Sequence, residues 1–213
     1  MAKLITPEIF QKNTAEDYLK AAIDTAEWID TLAIKTEYGR IWQALPEGQD
    51  EYREDVPLFT PKSMYDGSAG IGIFFIRLYE ATGDTRWLTE AEEAAAHIIA
   101  TKVGVEWYQT TLHSEVKGII PVPGWAAGPY NGPVGEAYFL EDLYQVTGKQ
   151  EYRDYVLYVA DVLLEAAVTD ERGLHWSDQE DITADGGFIV FLDILYRKTG
   201  IKKYLELAKE GLT

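Results

Sequence analysis

The chain has 213 residues, of which 36 are acidic and 19 basic, and it contains no cysteine. This length suffices for a substantial core, and we interpret residues 1–213 as one domain. A formal net charge of −17 disfavours binding to nucleic acid or to an anionic membrane surface. Without cysteine, this sequence can form neither disulfides nor cysteine-ligated zinc sites.

The N-terminal residues do not predict export or membrane insertion. Residues 1–7 lack the apolar core of a signal peptide, and no apolar run approaches the roughly 18 residues of a membrane span. We therefore predict a cytoplasmic protein.

A signature occurs three times along the chain. Its first half is Gly-x-x-Trp, at Gly39–Trp42, Gly104–Trp107 and Gly173–Trp176. Its second half is Leu-Tyr-x-x-Thr-Gly, with an aromatic residue five positions after the threonine, at Leu78–Trp87, Leu143–Tyr152 and Leu195–Tyr204. A period of tens of residues is typical of a repeat architecture.

Each repeat predicts a helical hairpin. The inner helices are apolar over most of their surface, and one repeat position holds Phe74, Phe139 and Phe191. They end at glycines suited to a left-handed helix terminus, Gly83, Gly148 and Gly200. One-sided outer helices are expected to follow, from Trp87 to about Thr101, from Tyr152 to about Val168 and from Tyr204 onward. Residues 18–22 match residues 204–208, so the N-terminal helix is interpreted as an outer helix too.

Long connectors precede the first two inner helices. Those from Trp42 to Asp66 and from Trp107 to Asn131 exceed 20 residues, which marks them as candidate functional segments. Short strands are expected beside the tryptophans of the signature.

Stacked hairpins with apolar inner helices can close into a ring. We therefore predict an all-α fold, an α/α toroid of the six-hairpin type, present as an incomplete arc of about seven helices. The last helix reaches Thr213 without the capping unit that a repeat array needs. We interpret the chain as the N-terminal half of a longer barrel. An oligomer is compatible with a chain that does end at Thr213.

Two stretches resemble the repeat of lanthionine synthetase C-like proteins, Tyr65–Asp84 and Gly132–Gly148. The resemblance covers roughly residues 10–213 and implies a double-layered α-barrel. Cyclases of this family bind zinc through two cysteines and a histidine, and they add a cysteine thiolate to a dehydrated serine or threonine. The resemblance thus implies a thioether cyclase-related function and a peptide substrate.

The sequence departs from that family at the metal motifs. Trp125–Gly128 and Tyr130–Gly132 carry Ala, Tyr and Asn where the ligands would stand. No metal ligand is carried over and no cofactor is expected in this stretch, since zinc would require ligands from a C-terminal half. Two further interpretations stay open: a carbohydrate-active enzyme of glycoside hydrolase or epimerase type, and a non-catalytic binding scaffold.

Three residues are candidates for acid–base catalysis. Asp66 and Asp185 lie at or near starts of inner helices, where an aspartate is by default an N-cap or a partner of the helix dipole. Because these starts converge at one mouth of a toroid, the two carboxylates are candidates for general acid or base, as in glycoside hydrolysis. His175 is the third candidate, since histidine transfers protons near neutral pH; the alternative is an exposed histidine without a role.

Aromatic and amide side chains near the same turns are candidates for substrate binding. Tyr65, Trp125 and Tyr130 are candidates for a stacking surface toward a sugar or a peptide, and the alternative is that they anchor their loops. Asn131 and Trp176 complete the set. Trp176 shares its repeat position with Trp42 and Trp107, so its first expected role is packing.

Overall fold

The computed structural model describes residues 14–42, 62–112, 126–178 and 180–211, and for residues 109–112 the backbone alone. Contacts divide the chain into two compact units, Met1–Ala33 and Ile34–Thr213. The described part of the first unit is helix α1 (Ala15–Thr31). The second unit contains, in chain order, β1 (Ile34–Lys35), β2 (Arg40–Ile41), α2 (Ser68–Thr82), α3 (Thr85–Ala100), α4 (Val105–Leu112), α5 (Pro133–Thr147), α6 (Gln150–Ala166), β3 (Val168–Asp170), β4 (Gly173–His175), α7 (Asp185–Thr199) and α8 (Lys202–Glu210).

Helix α1 begins with a capping box. The hydroxyl oxygen of Thr14 accepts the Asp17 N–H at 3.2 Å, and the Asp17 carboxylate accepts the Thr14 N–H at 2.8 Å. These bonds satisfy two N–H groups at the helix start. Ala26 is the buried residue of this helix, and Tyr18 and Trp28 are exposed.

Three helical hairpins form the second unit, as predicted. Helix α2 pairs with α3, α5 with α6, and α7 with α8, while α2 also packs against α5. The inner helices are α2, α5 and α7, and their buried side chains include Phe75, Phe139 and Phe188. The prediction of an all-α fold built from hairpins is confirmed. Among the described residues, no helix is long and apolar enough to cross a membrane.

The threonine and glycine of the signature end each inner helix in the same way. Gly83, Gly148 and Gly200 have φ angles of 71°, 69° and 72°, a conformation in which glycine is free of Cβ strain. The threonine hydroxyl donates to the leucine carbonyl four residues earlier at 2.7 Å in all three repeats. The signature therefore encodes a helix end.

The prediction of strands beside the tryptophans is right for two repeats and wrong for the third. Antiparallel hairpins pair β1 with β2 and β3 with β4. In the middle repeat the residues from Val105 form helix α4 instead. The physical reason is room: Gly104 follows the end of α3 at Ala100 by four residues, whereas Gly173 follows the end of α6 at Ala166 by seven. A strand and a turn do not fit into the shorter interval.

Candidate functional site

The starts of the three inner helices pack against one another. A Cβ atom on Gly135 would lie 2.3 Å from the Pro129 carbonyl oxygen and 3.0 Å from Cβ of Met64. A Cβ atom on Gly187 would lie 2.4 Å from the Ile182 carbonyl oxygen and 2.7 Å from Cδ of Pro129. The turn before α2 thus reaches Gly135 in α5, and the turn before α5 reaches Gly187 in α7. The expected convergence of the helix starts is present in the second unit.

Three exposed apolar side chains occupy one position of these turns. Tyr65, Tyr130 and Ile182 each lie thirteen residues before the leucine of their repeat signature. They are 75%, 39% and 53% exposed. The Tyr65 N–H donates to the Tyr130 carbonyl oxygen at 2.9 Å, which joins the first two turns. We call these three residues the turn row.

Asp66 and Asn131 follow the first two residues of the turn row. Asp66 is half-buried, its carboxylate accepts the Ser63 hydroxyl, and its N–H donates to the same hydroxyl oxygen at 3.0 Å. Asn131 is 2% exposed, and its side-chain oxygen and nitrogen have no hydrogen-bond partner among the described residues. Leaving a buried polar group unpaired costs about 1–3 kcal/mol. Within the described residues, this amide is therefore an unpaired buried polar group.

Asp185 lies two residues later in the register, and the structure gives it different contacts. It is the first residue of α7, where α2 has Ser68. Its Oδ2 accepts the N–H groups of Trp176 and Ser177 at 2.9 and 3.2 Å, and its Oδ1 accepts the Ser177 hydroxyl at 2.7 Å. In the first repeat, the hydroxyl of Ser68 accepts the Trp42 N–H at 3.3 Å. Both side chains hold the preceding connector on the helix start.

This positioning contact was not identified from the sequence. The two-residue offset between Asp66 and Asp185 was the available signal, because it places Asp185 at the repeat position of Ser68.

Trp176 lies in the core. Its ring is fully buried, its Nε1–H donates to the Leu163 carbonyl oxygen at 2.7 Å, and it packs edge-on against Phe188 with centroids 5.6 Å apart. Trp42 packs in a similar way against Phe75. The structure thus places Trp176 away from solvent, whereas Tyr65 and Tyr130 face it. Trp125 lies outside the described residues.

His175 and Asp185 line the same cavity. Its volume is about 340 Å³, and its ionisable lining residues are Arg172, His175, Asp178, Glu180 and Asp185. Asp66 lies in the turn before α2, so two of the three catalytic candidates share this cavity. Among the described residues, no group of three or more His, Asp or Glu side chains is arranged to hold a metal.

Side chains of both charges and a backbone carbonyl surround the His175 ring. A guanidinium nitrogen of Arg172 lies 2.6 Å from Nε2, and the Gly173 carbonyl oxygen lies 3.2 Å from Nδ1. Oδ2 of Asp170 lies 3.6 Å from the same Nε2. The ring is therefore held between a cationic and an anionic side chain. Arg172 also bonds to Asp170 and Asp178.

The surroundings of one tyrosine beneath the turn row raise its pKa. Burial, together with the nearby Tyr130, raises the pKa of Tyr138 to about 12. Tyr138 packs edge-on against Phe191 with centroids 5.6 Å apart. Tyr138 is therefore a neutral hydroxyl group behind the turn row at physiological pH.

Comparison with known proteins identifies the fold. No protein-family model matches the chain, and no curated protein gives a significant match. A solved structure of a glycoside hydrolase family 76 mannosidase, Bt3792 from Bacteroides thetaiotaomicron VPI-5482, is similar with a TM-score of 0.54 over 93% of this chain, at 16% identity. A family 76 glycoside hydrolase from a bovine Bacteroides thetaiotaomicron strain aligns over 94% of this chain and 56% of its own, at 15% identity and a TM-score of 0.43.

The similarity to Bt3792 confirms the predicted α/α-barrel fold. This chain covers 54% of the length of Bt3792, so it spans about half of the solved structure that it matches.

The predicted resemblance to lanthionine synthetase C-like proteins is wrong, because the similar solved structure, Bt3792, is a family 76 glycoside hydrolase. The thioether cyclase-related function is corrected with it, and a peptide substrate has no support. The physical reason is that the signature encodes how an inner helix ends. Its threonine and glycine make local contacts, which any barrel of such hairpins can use.

Proposed function

We propose that this chain is part of a carbohydrate-active protein and that it contacts its glycan along the turn row. The observation that carries the proposal is the alignment of Tyr65, Tyr130 and Ile182 at one repeat position, with their side chains exposed. The first two of these turns are hydrogen-bonded to each other. Sugar rings have apolar C–H faces that stack on aromatic side chains, and ligand sites combine such surfaces with a few polar groups. The fold of a glycoside hydrolase barrel supports this class of function.

Polar groups next to the turn row suit a sugar. The Asp66 carboxylate accepts hydrogen bonds, and the amide of Asn131 carries a donor and an acceptor that have no partner among the described residues. A sugar hydroxyl both donates and accepts, so it complements either group. The net charge of −17 favours neutral glycans over glycans that carry carboxylate or sulfate groups.

Acid–base chemistry is a further part of the proposal. Asp66 is our candidate for the carboxylate that faces the glycan, because it adjoins Tyr65. His175 and Asp185 are candidates at the cavity beyond Ile182. The Asp185 carboxylate accepts three hydrogen bonds, which supports a positioning role besides the catalytic one. The cytoplasmic location stays a prediction.

Binding measurements with matched tyrosine variants test the proposal. We expect a neutral oligosaccharide, such as a short mannan fragment, to bind about tenfold more weakly to Tyr65→Ala and to Tyr130→Ala, as measured by calorimetry. The control is Tyr79→Ala in the last turn of α2, roughly 16 Å along that helix from its start. No binding of any neutral oligosaccharide, or an equal loss in Tyr79→Ala, would overturn the proposal.

Hydrolysis is tested separately from binding. We expect Asp66→Asn to lower kcat by about 100-fold or more, with oligosaccharide affinity within about threefold of the parent protein. Product formation from a labelled oligosaccharide measures this. A glycan that binds and is never cleaved by the parent protein would support a binding protein in place of an enzyme.

A further inference from the structure

A buried group of polar side chains lies beneath the first turn of the row. Lys62, Tyr108, Glu136 and Tyr155 are 7%, 0%, 2% and 4% exposed. We call these four residues the buried cluster. Lys62 belongs to the cluster and also begins the turn, residues 62–67, that carries Tyr65.

Directional bonds hold Lys62 at both its side chain and its backbone. Its Nζ donates to the Thr101 carbonyl oxygen at 2.9 Å and lies 3.7 Å from Oε1 of Glu136. The Tyr155 hydroxyl donates to Oε2 of Glu136. The Lys62 carbonyl oxygen accepts the Ala69 N–H at 3.2 Å. The first turn is thereby tied to the end of α3, to α5 and, through Glu136, to α6.

The register shows that the charged pair is particular to this place. Glu136 occupies the position that Ile71 has in α2 and Phe188 has in α7, and Lys62 occupies the position of Ala127 in the second repeat. The repeat can therefore fill both positions with apolar side chains. Replacing a buried ion pair by apolar residues is often neutral or stabilising. Stability alone does not explain why charges stand here.

The burial of Glu136 has an electrostatic cost. Desolvation raises the pKa of this carboxyl group, and the ammonium of Lys62 and the hydroxyl of Tyr155 oppose that shift. Tyr108 adds a buried hydroxyl that has no hydrogen-bond partner among the described residues. The charges fix the position of the turn, because the Lys62 ammonium bonds to acceptors at defined places. An apolar side chain would pack there without such a directional bond.

We propose that Lys62 and Glu136 are positioning residues, which hold the turn of residues 62–67 so that Tyr65 and Asp66 face the glycan. This inference rests on the proposed function. Tyr65 needs such a tether because its side chain is 75% exposed, so it makes few contacts that would orient the turn.

The test removes both charges together. Lys62→Met/Glu136→Gln leaves no charge in the buried cluster and keeps an acceptor for the Tyr155 hydroxyl. We therefore expect a melting temperature within a few degrees of the parent protein. Amide hydrogen exchange of Tyr65 is expected to become at least tenfold faster, because its bond to the Tyr130 carbonyl opens more often. Exchange at Phe188, in the third repeat, should stay unchanged.

A second ion pair provides the matched control. Arg40 and Glu90 are 2.7 Å apart and join β2 to α3. We expect Arg40→Met/Glu90→Gln to leave exchange of the Tyr65 amide unchanged. If the first double variant does not fold, Tyr155→Phe deletes only the hydroxyl that binds Glu136. In that variant we expect a twofold to threefold faster exchange at Tyr65.

Glycan affinity completes the test. Lys62→Met/Glu136→Gln should bind the oligosaccharide about tenfold more weakly, and adding Tyr65→Ala should cause no further loss. Unchanged exchange at Tyr65 overturns the inference, as does unchanged affinity where Tyr65→Ala alone weakens binding. If exchange rises but Tyr65→Ala has no effect in the parent protein, the proposed function fails and the tethering of the turn stands.

Discussion

The two ends of the inner helices differ in how strictly the repeats agree. At the C-terminal ends, Gly83, Gly148 and Gly200 share one backbone conformation and the same threonine bond. At the starts, the first helical residues are a serine, a proline and an aspartate, each with its own contacts. The uniform end builds the hairpin. The variable end carries most of the candidate site residues, so it is where function can diverge without loss of fold.

The largest expected effect contrasts a glycine at each end. Gly132→Ala should destabilise the protein by about 3 kcal/mol, because its Cβ would lie 2.2 Å from the Ala126 carbonyl oxygen. A Cβ on Gly148 would meet open space, so Gly148→Ala should destabilise the protein only through the φ angle of 69°, by about 1 kcal/mol. Urea unfolding measures both. Equal losses would contradict the view that the helix starts are the crowded end.

The sequence predicts the uniform end well for a local reason. A glycine in the left-handed region and a threonine that bonds back to its own helix need no distant partner. The same locality explains why this signature misled the choice of family. At the variable end, the Gly-rich turns place Asp66 and Asn131 near helix starts, and Tyr65 and Tyr130 are candidates because they lie outside the tryptophan position of the repeat.

The remaining features of the variable end depend on distant contacts. The bond between Lys62 and the Thr101 carbonyl and the contact of Asp185 with Trp176 arise only when the helices pack. Helix α4 was missed because a short connector changed the local structure while Gly104 and Trp107 kept their spacing. Tertiary packing decided the first two features, and the length of the connector decided the third.

The next effect compares two side chains that hold a connector at a helix start. Asp185→Ala should cost about 2 kcal/mol, since it leaves the buried N–H groups of Trp176 and Ser177 without their acceptor. Ser68→Ala removes the acceptor of the Trp42 N–H at 3.3 Å and should cost about 1 kcal/mol. Thermal unfolding of the two variants provides the measurement. A larger loss for Ser68→Ala would contradict the prediction that Asp185 makes the stronger contact with its connector.

A smaller effect tests the uniform end. Thr82→Val, Thr147→Val and Thr199→Val keep the side-chain shape. Each removes a hydroxyl that donates to the leucine carbonyl at 2.7 Å and accepts the N–H two residues later at 3.1–3.3 Å. We expect each to lower the free energy of unfolding by about 1 kcal/mol. The spread among the three should stay within about 0.5 kcal/mol. A wider spread in urea unfolding would show that the three ends are alike in geometry and unlike in energy.

The smallest effect concerns the titration of His97, in the last turn of α3. Burial and, second, the positive charge of Lys62 lower the pKa of His97 below its usual 6.5, and its Nδ1 lies 3.0 Å from the Thr36 hydroxyl. A lowered folded-state pKa stabilises the protein above pH 6.5, and this contribution is lost as the pH falls through the folded-state value. Unfolding at pH 7 and at pH 5 should show a smaller acid loss in His97→Gln than in the parent protein. In an NMR titration, Lys62→Met should raise the pKa of His97. An unchanged value would mean that Lys62 does not act on this imidazole, and that burial alone lowers its pKa.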